Sequence, residues 1–87
     1  MVSKKLTVSN AQGLHMRPAG LFANAMGKYK SDVFLNVKGN DVNGKSLMNI
    51  IAACIKCGTE IEIRCTGEDE ADALAKAVEL IESGLGE

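Results

Sequence analysis

The residues most able to do chemistry stand together near the N-terminus, in Gly13-Leu14-His15-Met16-Arg17-Pro18-Ala19. This run holds the only histidine and the only proline of the 87-residue chain, and one of its two arginines. Pro18 cannot sit inside a helix but suits a helix's first turn, where a missing N–H removes no hydrogen bond. The Ala-, Leu-, Phe- and Met-rich sequence after it places His15 at or just before a helix start. First-turn N–H groups lack intrahelical acceptors and lie at the positive end of the dipole, so the position favours an anion. That dipole also disfavours imidazolium, which keeps a ring nitrogen free to act as a nucleophile near neutral pH. Arg17 adds a planar fork suited to phosphate. The chemistry this spacing suggests is phosphorylation of His15, with Arg17 stabilising the phosphate. The plain alternative is a surface or capping histidine beside a solvated arginine.

A second group begins at Ser46. Its simplest role is to cap the helix that follows, and a phosphate placed on its hydroxyl would meet the same helix start. Leu47 and Met48 are bulky and apolar and cannot both face the core. With Met16 they suggest an exposed docking patch, and methionine suits a surface that accepts several partners. Two further motifs compete for attention. Gly39-Asn40-Asp41-Val42-Asn43-Gly44-Lys45-Ser46 matches the G-x-x-x-x-G-K-[ST] phosphate loop letter for letter. A nucleotide-binding fold of that kind needs a parallel sheet with helices on both faces, for which this chain is too short. Val42 among polar neighbours fits a short hairpin strand better. Cys54-x-x-Cys57 lies toward the end of a helix, whereas the redox motif uses a helix N-terminus to lower a thiol pKa. A zinc site would need Cys54, Cys57, Cys65 and His15 to converge. Cys54 and Cys65 therefore read as small core residues, Cys57 as incidental, and no metal or cofactor is implied.

Composition narrows the function classes. The chain is one small domain, burying only roughly 60% of its unfolded surface. Apolar residues make up 46% and charged residues 24%, as in an ordinary globular domain. A net charge of −1 and three aromatic residues (Phe22, Tyr29, Phe34) argue against nucleic-acid binding by charge or by stacking. No apolar run approaches the ~20 residues of a membrane span, and no signal-peptide layout is visible. Three cysteines do not make a disulfide framework and fit a reducing cytoplasm.

The elements that must position these residues follow from periodicity. Alternation predicts strands over Val2–Ser9, with Leu6 and Val8 inward, and over Ser31–Val37, with Val33, Leu35 and Val37 inward. It also predicts one over Thr59–Cys65, with Ile61, Ile63 and Cys65 inward. Lys38-Gly39-Asn40-Asp41 reads as a turn joining the second strand to a short Asp41-Val42-Asn43 partner. A helix is expected over Met16–Met26, with Ala19, Phe22, Ala23 and Met26 as its core stripe and Gly27 as its stop. A second should start near Ser46, run through Leu47, Ile50, Ile51 and Cys54, and stop at Gly58. A third is expected over Glu68–Glu82 with an acidic first turn, a buried stripe of Leu74, Ala75, Val78 and Ile81, and Gly84 at its end. The order β-α-β-β-α-β-α implies an α+β domain, one sheet covered on a single side by helices. Periodicity leaves the strand order open, with a ferredoxin-like split βαβ equally compatible.

The chain resembles a known family at these residues. Gly13-Leu14-His15-Met16-Arg17-Pro18-Ala19, then Lys45-Ser46-Leu47-Met48 and Gly67-Glu68-Asp69-Glu70, look like HPr, the histidine phosphocarrier family of the bacterial phosphoenolpyruvate:sugar phosphotransferase system. The likeness spans residues 1–87, as a single domain. It implies an open-faced β-sandwich, a four-stranded antiparallel sheet in the order 1-4-2-3 with three helices on one face. It implies that His15 is phosphorylated on Nδ1 by Enzyme I and passes the phosphoryl group to sugar-specific IIA domains. Arg17 would stabilise the phosphate, and Met16, Leu47 and Met48 would contact partners. Ser46 matches the serine that an HPr kinase/phosphorylase modifies, with a transcriptional regulator as the reader. The carrier is expected to be a cytoplasmic monomer that catalyses nothing alone. The alternative is a purely regulatory binding module controlled by Ser46 phosphorylation. Met16 departs from the usual alanine or threonine, Gly20 from a bulkier residue, and Cys54 and Cys57 from glycine and a polar residue.

Overall fold

A computed structural model describes residues 1–9, 13–14 and 16–83; His15, and Gly84 as the expected stop of the third helix, lie outside the described residues. The elements are β1 (Val2–Thr7), α1 (Met16–Met26), β2 (Asp32–Val37), β3 (Asn40–Asn43), α2 (Leu47–Ala52), β4 (Glu60–Thr66) and α3 (Glu70–Glu82). The four strands form one antiparallel sheet in the order β1-β4-β2-β3, as the resemblance implies. β4 is the central partner, pairing Ile61 with Leu6 on one edge and Ile63 with Leu35 on the other.

Alternation along the strands decides which face is covered. Val33, Leu35 and Val37 of β2, Val42 of β3, and Ile61, Ile63 and Cys65 of β4 are buried. The residues between them, including Phe34, Glu60 and Arg64, face away from the core. Ala19, Phe22, Ala23 and Met26 of α1 are buried, as the periodicity predicts, so one stripe of that helix is spent against the sheet. The β2–β3 hairpin is tighter than expected. Val37 pairs with Asn40, leaving a two-residue turn in which Lys38 and Gly39 both take positive φ, +52° and +85°. This is the turn whose twist matches paired strands, and it extends β3 back to Asn40.

The other differences have local physical causes. β1 ends at Thr7 rather than Ser9. Val8 still exchanges backbone hydrogen bonds, but with Gly58 and Thr59 in the turn before β4. α2 ends at Ala52, two residues short of Cys54, and Gly58 is not its stop. Cys54 takes a left-handed φ of +52° and its N–H donates to the Ile51 carbonyl, so the chain leaves the helix there. The turn drives Ile55 into the core and leaves Cys54 exposed, which corrects its expected core role; Cys65 is buried as expected. α3 begins at Glu70 rather than Glu68. Its fully buried residues are Ala73, Ala77 and Ile81; Leu74 and Val78 are half-buried and Ala75 is exposed. Small alanines toward the sheet let α3 lie close, and the larger side chains flank that contact.

Asp69 precedes α3 yet caps a different segment. Its carboxylate accepts hydrogen bonds from the N–H groups of Lys30 and Ser31, both 2.9 Å, and from the Ser31 hydroxyl. The Ser31 hydroxyl, followed by the Lys30 N–H, holds the Asp69 carboxyl down at about 2. An unfolded aspartate titrates near ~3.9, so the folded state binds fewer protons through this range. The stabilisation is present above about pH 4 and is lost as pH falls toward about 2. Urea midpoints measured across that window should fall for the parent chain, and the fall should be shallower for Ser31→Ala and Asp69→Asn.

Candidate functional site

The run that carries His15 leads straight into α1. Pro18 is the third residue of that helix and is buried, so its ring fixes the first turn without removing an intrahelical bond. Met16 and Arg17, at the first two positions, are exposed, Met16 at 69%. The backbone before His15 is held from the opposite side. The Leu14 N–H donates to the Ile55 carbonyl at 2.8 Å, and the Leu14 side chain is buried. Gly13 takes φ +71° against the same segment. A Cβ there would lie 2.2 Å from the Ile55 oxygen and 2.6 Å from the Lys56 Cα, both backbone atoms that cannot step aside. Only glycine meets both demands at once.

Ser46 is the N-cap of α2, in extended backbone conformation, with its hydroxyl accepting from the Asn49 N–H at 3.3 Å and its carbonyl from the Ile50 N–H at 3.1 Å. Leu47 then lies over α1. A Cβ on Gly20 would meet Leu47 Cδ1 at 3.9 Å, so Gly20 leaves room for the leucine to approach. Met16 and Gly20 are four residues apart and share a helix face, which puts Met16 on the side that Leu47 covers. Leu47 is half-buried in this contact, while Met48 is 72% exposed. The division expected of these two bulky residues is therefore observed. Leu21, 46% exposed on α1, lies beside Lys76 and Leu80 of α3 and is not part of this group.

The phosphate-loop lookalike is accounted for by other geometry. Gly39 forms the hairpin turn, Val42 is buried in β3, and the sheet is antiparallel. The Lys45 ammonium donates to the Tyr29 carbonyl at 2.8 Å, and the Lys45 N–H to Asn43 Oδ1 at 3.0 Å. The lysine is thus used to fasten the approach to α2. Among the described residues no group of three or more His, Cys, Asp or Glu side chains is placed to hold a metal. Ile55 is the site-forming residue that sequence reading missed. A backbone carbonyl leaves no mark on side-chain periodicity, and Ile55 lies just beyond the end of α2, which comes earlier than the spacing predicts.

Comparison with known proteins decides the family. The PTS-HPr family model, described as the PTS HPr component phosphorylation site, matches residues 2–83. The chain belongs to the HPr family. It is similar to the phosphocarrier protein HPr of Xylella fastidiosa (strain Temecula1), at 38% identity over 100% of this chain and 98% of that one. Its fold matches the crystal structure of HPr-C-His from Thermoanaerobacter tengcongensis with a TM-score of 0.96, at 34% identity over 100% and 98% of the two chains. It also matches Crh, described as a Bacillus subtilis catabolite repression protein and seen as a domain-swapped, intertwined dimer. That match has a TM-score of 0.77 and 38% identity over 95% of each chain. HPr proteins are phosphocarriers of the phosphotransferase system, carriers of a group rather than catalysts. Among the described residues no helix is long and apolar enough to cross a membrane.

Two substitutions test this architecture. Ser46→Ala should lower stability by about 1 kcal/mol through loss of the α2 cap, measured by urea unfolding. Gly13→Ala should cost more than that, because it meets both a left-handed φ and the Ile55–Lys56 backbone. A Gly13→Ala chain as stable as the parent would contradict the contact.

Proposed function

We propose that this HPr chain accepts a phosphoryl group on Nδ1 of His15 from phospho-Enzyme I, drawn from phosphoenolpyruvate, and passes it to the IIA domains of sugar permeases. The observation that carries the reading is a phosphorylation-site family match over residues 2–83, with His15-Met16-Arg17-Pro18 leading into the start of α1. On charging, the His15 imidazole lone pair attacks phosphorus, the bond to the donor breaks and a P–N bond forms; on discharge a nucleophile of the acceptor attacks phosphorus and that P–N bond breaks. That bond is weak enough for transfer in both directions. Arg17, exposed two residues on, supplies a charged fork for the phosphate. Met16, Leu47 and Met48 offer an apolar surface, and a modest one keeps the complexes transient.

Ser46 is the proposed regulatory site, modified by an HPr kinase/phosphorylase and read by a transcriptional regulator. Its place beside Leu47 and Met48 means that added charge falls within the docking surface, where it opposes acidic partners. The reading takes the carrier as a monomer in the cytoplasm. Light scattering checks the first point, and a stable dimer in dilute solution would remove it. The likeness to Crh favours a second reading, a purely regulatory module controlled through Ser46.

Incubation with Enzyme I and phosphoenolpyruvate, followed by mass spectrometry at neutral pH, separates these readings. The parent chain should gain one acid-labile phosphoryl group. His15→Ala should gain none while keeping the parent's circular dichroism, and Arg17→Ala should be labelled more slowly, on the order of tenfold. Full labelling of His15→Ala would sink the carrier assignment. A chain that a Ser46 kinase modifies but Enzyme I does not would establish the regulatory reading.

A further inference from the structure

Cys54 and Cys57 are the one motif that the phosphocarrier reading leaves unused. Both are free and exposed, in contrast to buried Cys65. They bracket Ile55 and Lys56, the two residues on which the backbone before His15 rests. The Ile55 carbonyl accepts the Leu14 N–H at 2.8 Å, and Gly13 is packed onto the Ile55–Lys56 backbone with no room for a Cβ. Cys57 joins the same contact, its Sγ donating to the Ser9 carbonyl at 3.9 Å. Cys54 turns the chain with a left-handed φ of +52° and sends the Ile55 side chain into the core. The two accessible thiols therefore border the two residues, Ile55 and Lys56, on which Gly13 and Leu14 are anchored.

We propose that Cys54 and Cys57 are a modification site, a dithiol that a hydroperoxide oxidises to a disulfide within the loop, and that this bond controls how firmly Leu14 is held. One thiol is oxidised to a sulfenic acid as the peroxide O–O bond breaks and its reduced half leaves as water or alcohol. The second thiol attacks that sulfur, an S–S bond forms, and water leaves. Two S–H bonds are lost and the peroxide takes up the two electrons. Cysteines three residues apart reach bonding distance when the chain between them closes as a turn. That closure resets φ and ψ at Ile55 and Lys56, turns the Ile55 carbonyl away from Leu14, and withdraws Cys57 from Ser9. A dithiol reductant reverses the step. The functional consequence, slower phosphorylation in the oxidised state, rests on the reading of His15 as phosphoacceptor.

The test uses the full chain, reduced and after hydrogen peroxide, with alkylation and intact-mass measurement. The oxidised chain should be about 2 Da lighter, the mass of two hydrogen atoms, with Cys54 and Cys57 protected from alkylation. Hydrogen exchange at the Leu14 amide should be about tenfold faster in that form and return to its reduced value with dithiothreitol. Cys54→Ser and Cys57→Ser should show neither change. Peroxide that yields only sulfinic acid or intermolecular dimers, or a disulfide that leaves Leu14 exchange unaltered, overturns the proposal. Enzyme I labelling is then compared between the two forms. A reduced chain that labels well and an oxidised chain that labels several-fold more slowly support the coupling; equal rates overturn it. Failure of the reduced chain to label refutes the His15 reading instead, while the thiol result still stands or falls on mass and exchange.

Discussion

β4 is hydrogen-bonded along both edges, to β1 on one side and β2 on the other, and this placement sets the arrangement of everything else. Because the last strand lies between the first two, the β1–α1–β2 connection must pass over it, and the return from β3 through α2 must pass over β2 to reach it. Both connections carry helices whose apolar stripes have only one sheet face to cover. Val33, Leu35, Ile61, Ile63 and Cys65 supply that face, and Phe22, Met26, Ile50 and Ile81 come down onto it. The segment entering α1 and the segment leaving α2 consequently meet, at Leu14 and Ile55.

That meeting point explains how a small domain fixes the backbone at Gly13 and Leu14. The thin core leaves little apolar surface near Gly13 and Leu14, and the Leu14–Ile55 main-chain hydrogen bond with the close glycine contact fixes these two residues. Leu14 buries its side chain at the same place, so polar and apolar terms act together. A comparable fastening prepares the start of α2, where the Lys45 ammonium is tied to the Tyr29 carbonyl and Ser46 closes the first turn. The two helix starts are thereby built from different elements and joined by Leu47 over Gly20. The candidate working surface is the sum of both.

Much of this was legible in the residues. Alternation gave the inward faces of β2 and β4, and helical spacing gave the buried stripe of α1. Pro18 marked a first turn and Ser46 a cap, because each has chemistry that only such a position satisfies. Where the reading failed, the competing effect was tertiary. Gly58 looked like a helix stop, but burial of Ile55 turned the chain earlier, at Cys54, and moved that thiol from the core to the surface. Helical spacing predicts an α3 stripe through Leu74 and Ala75, yet close approach to the sheet favours Ala73 and Ala77. A phosphate-loop pattern matched fully and meant nothing of the kind, since its glycine, valine and lysine serve a hairpin turn, a strand and a carbonyl.

By itself the sequence determined which residue types are able to do chemistry, which elements they begin, and, through likeness to a family, the order of the strands. Those features depend on side-chain type and on spacing along the chain, which a sequence records directly. Tertiary structure alone decided that Ile55 holds Leu14, that Gly13 has no space for a side chain, and that Cys54 and Cys57 border that contact. The reason is physical. Backbone carbonyls are the same at every residue, and their partners are chosen by how distant segments pack.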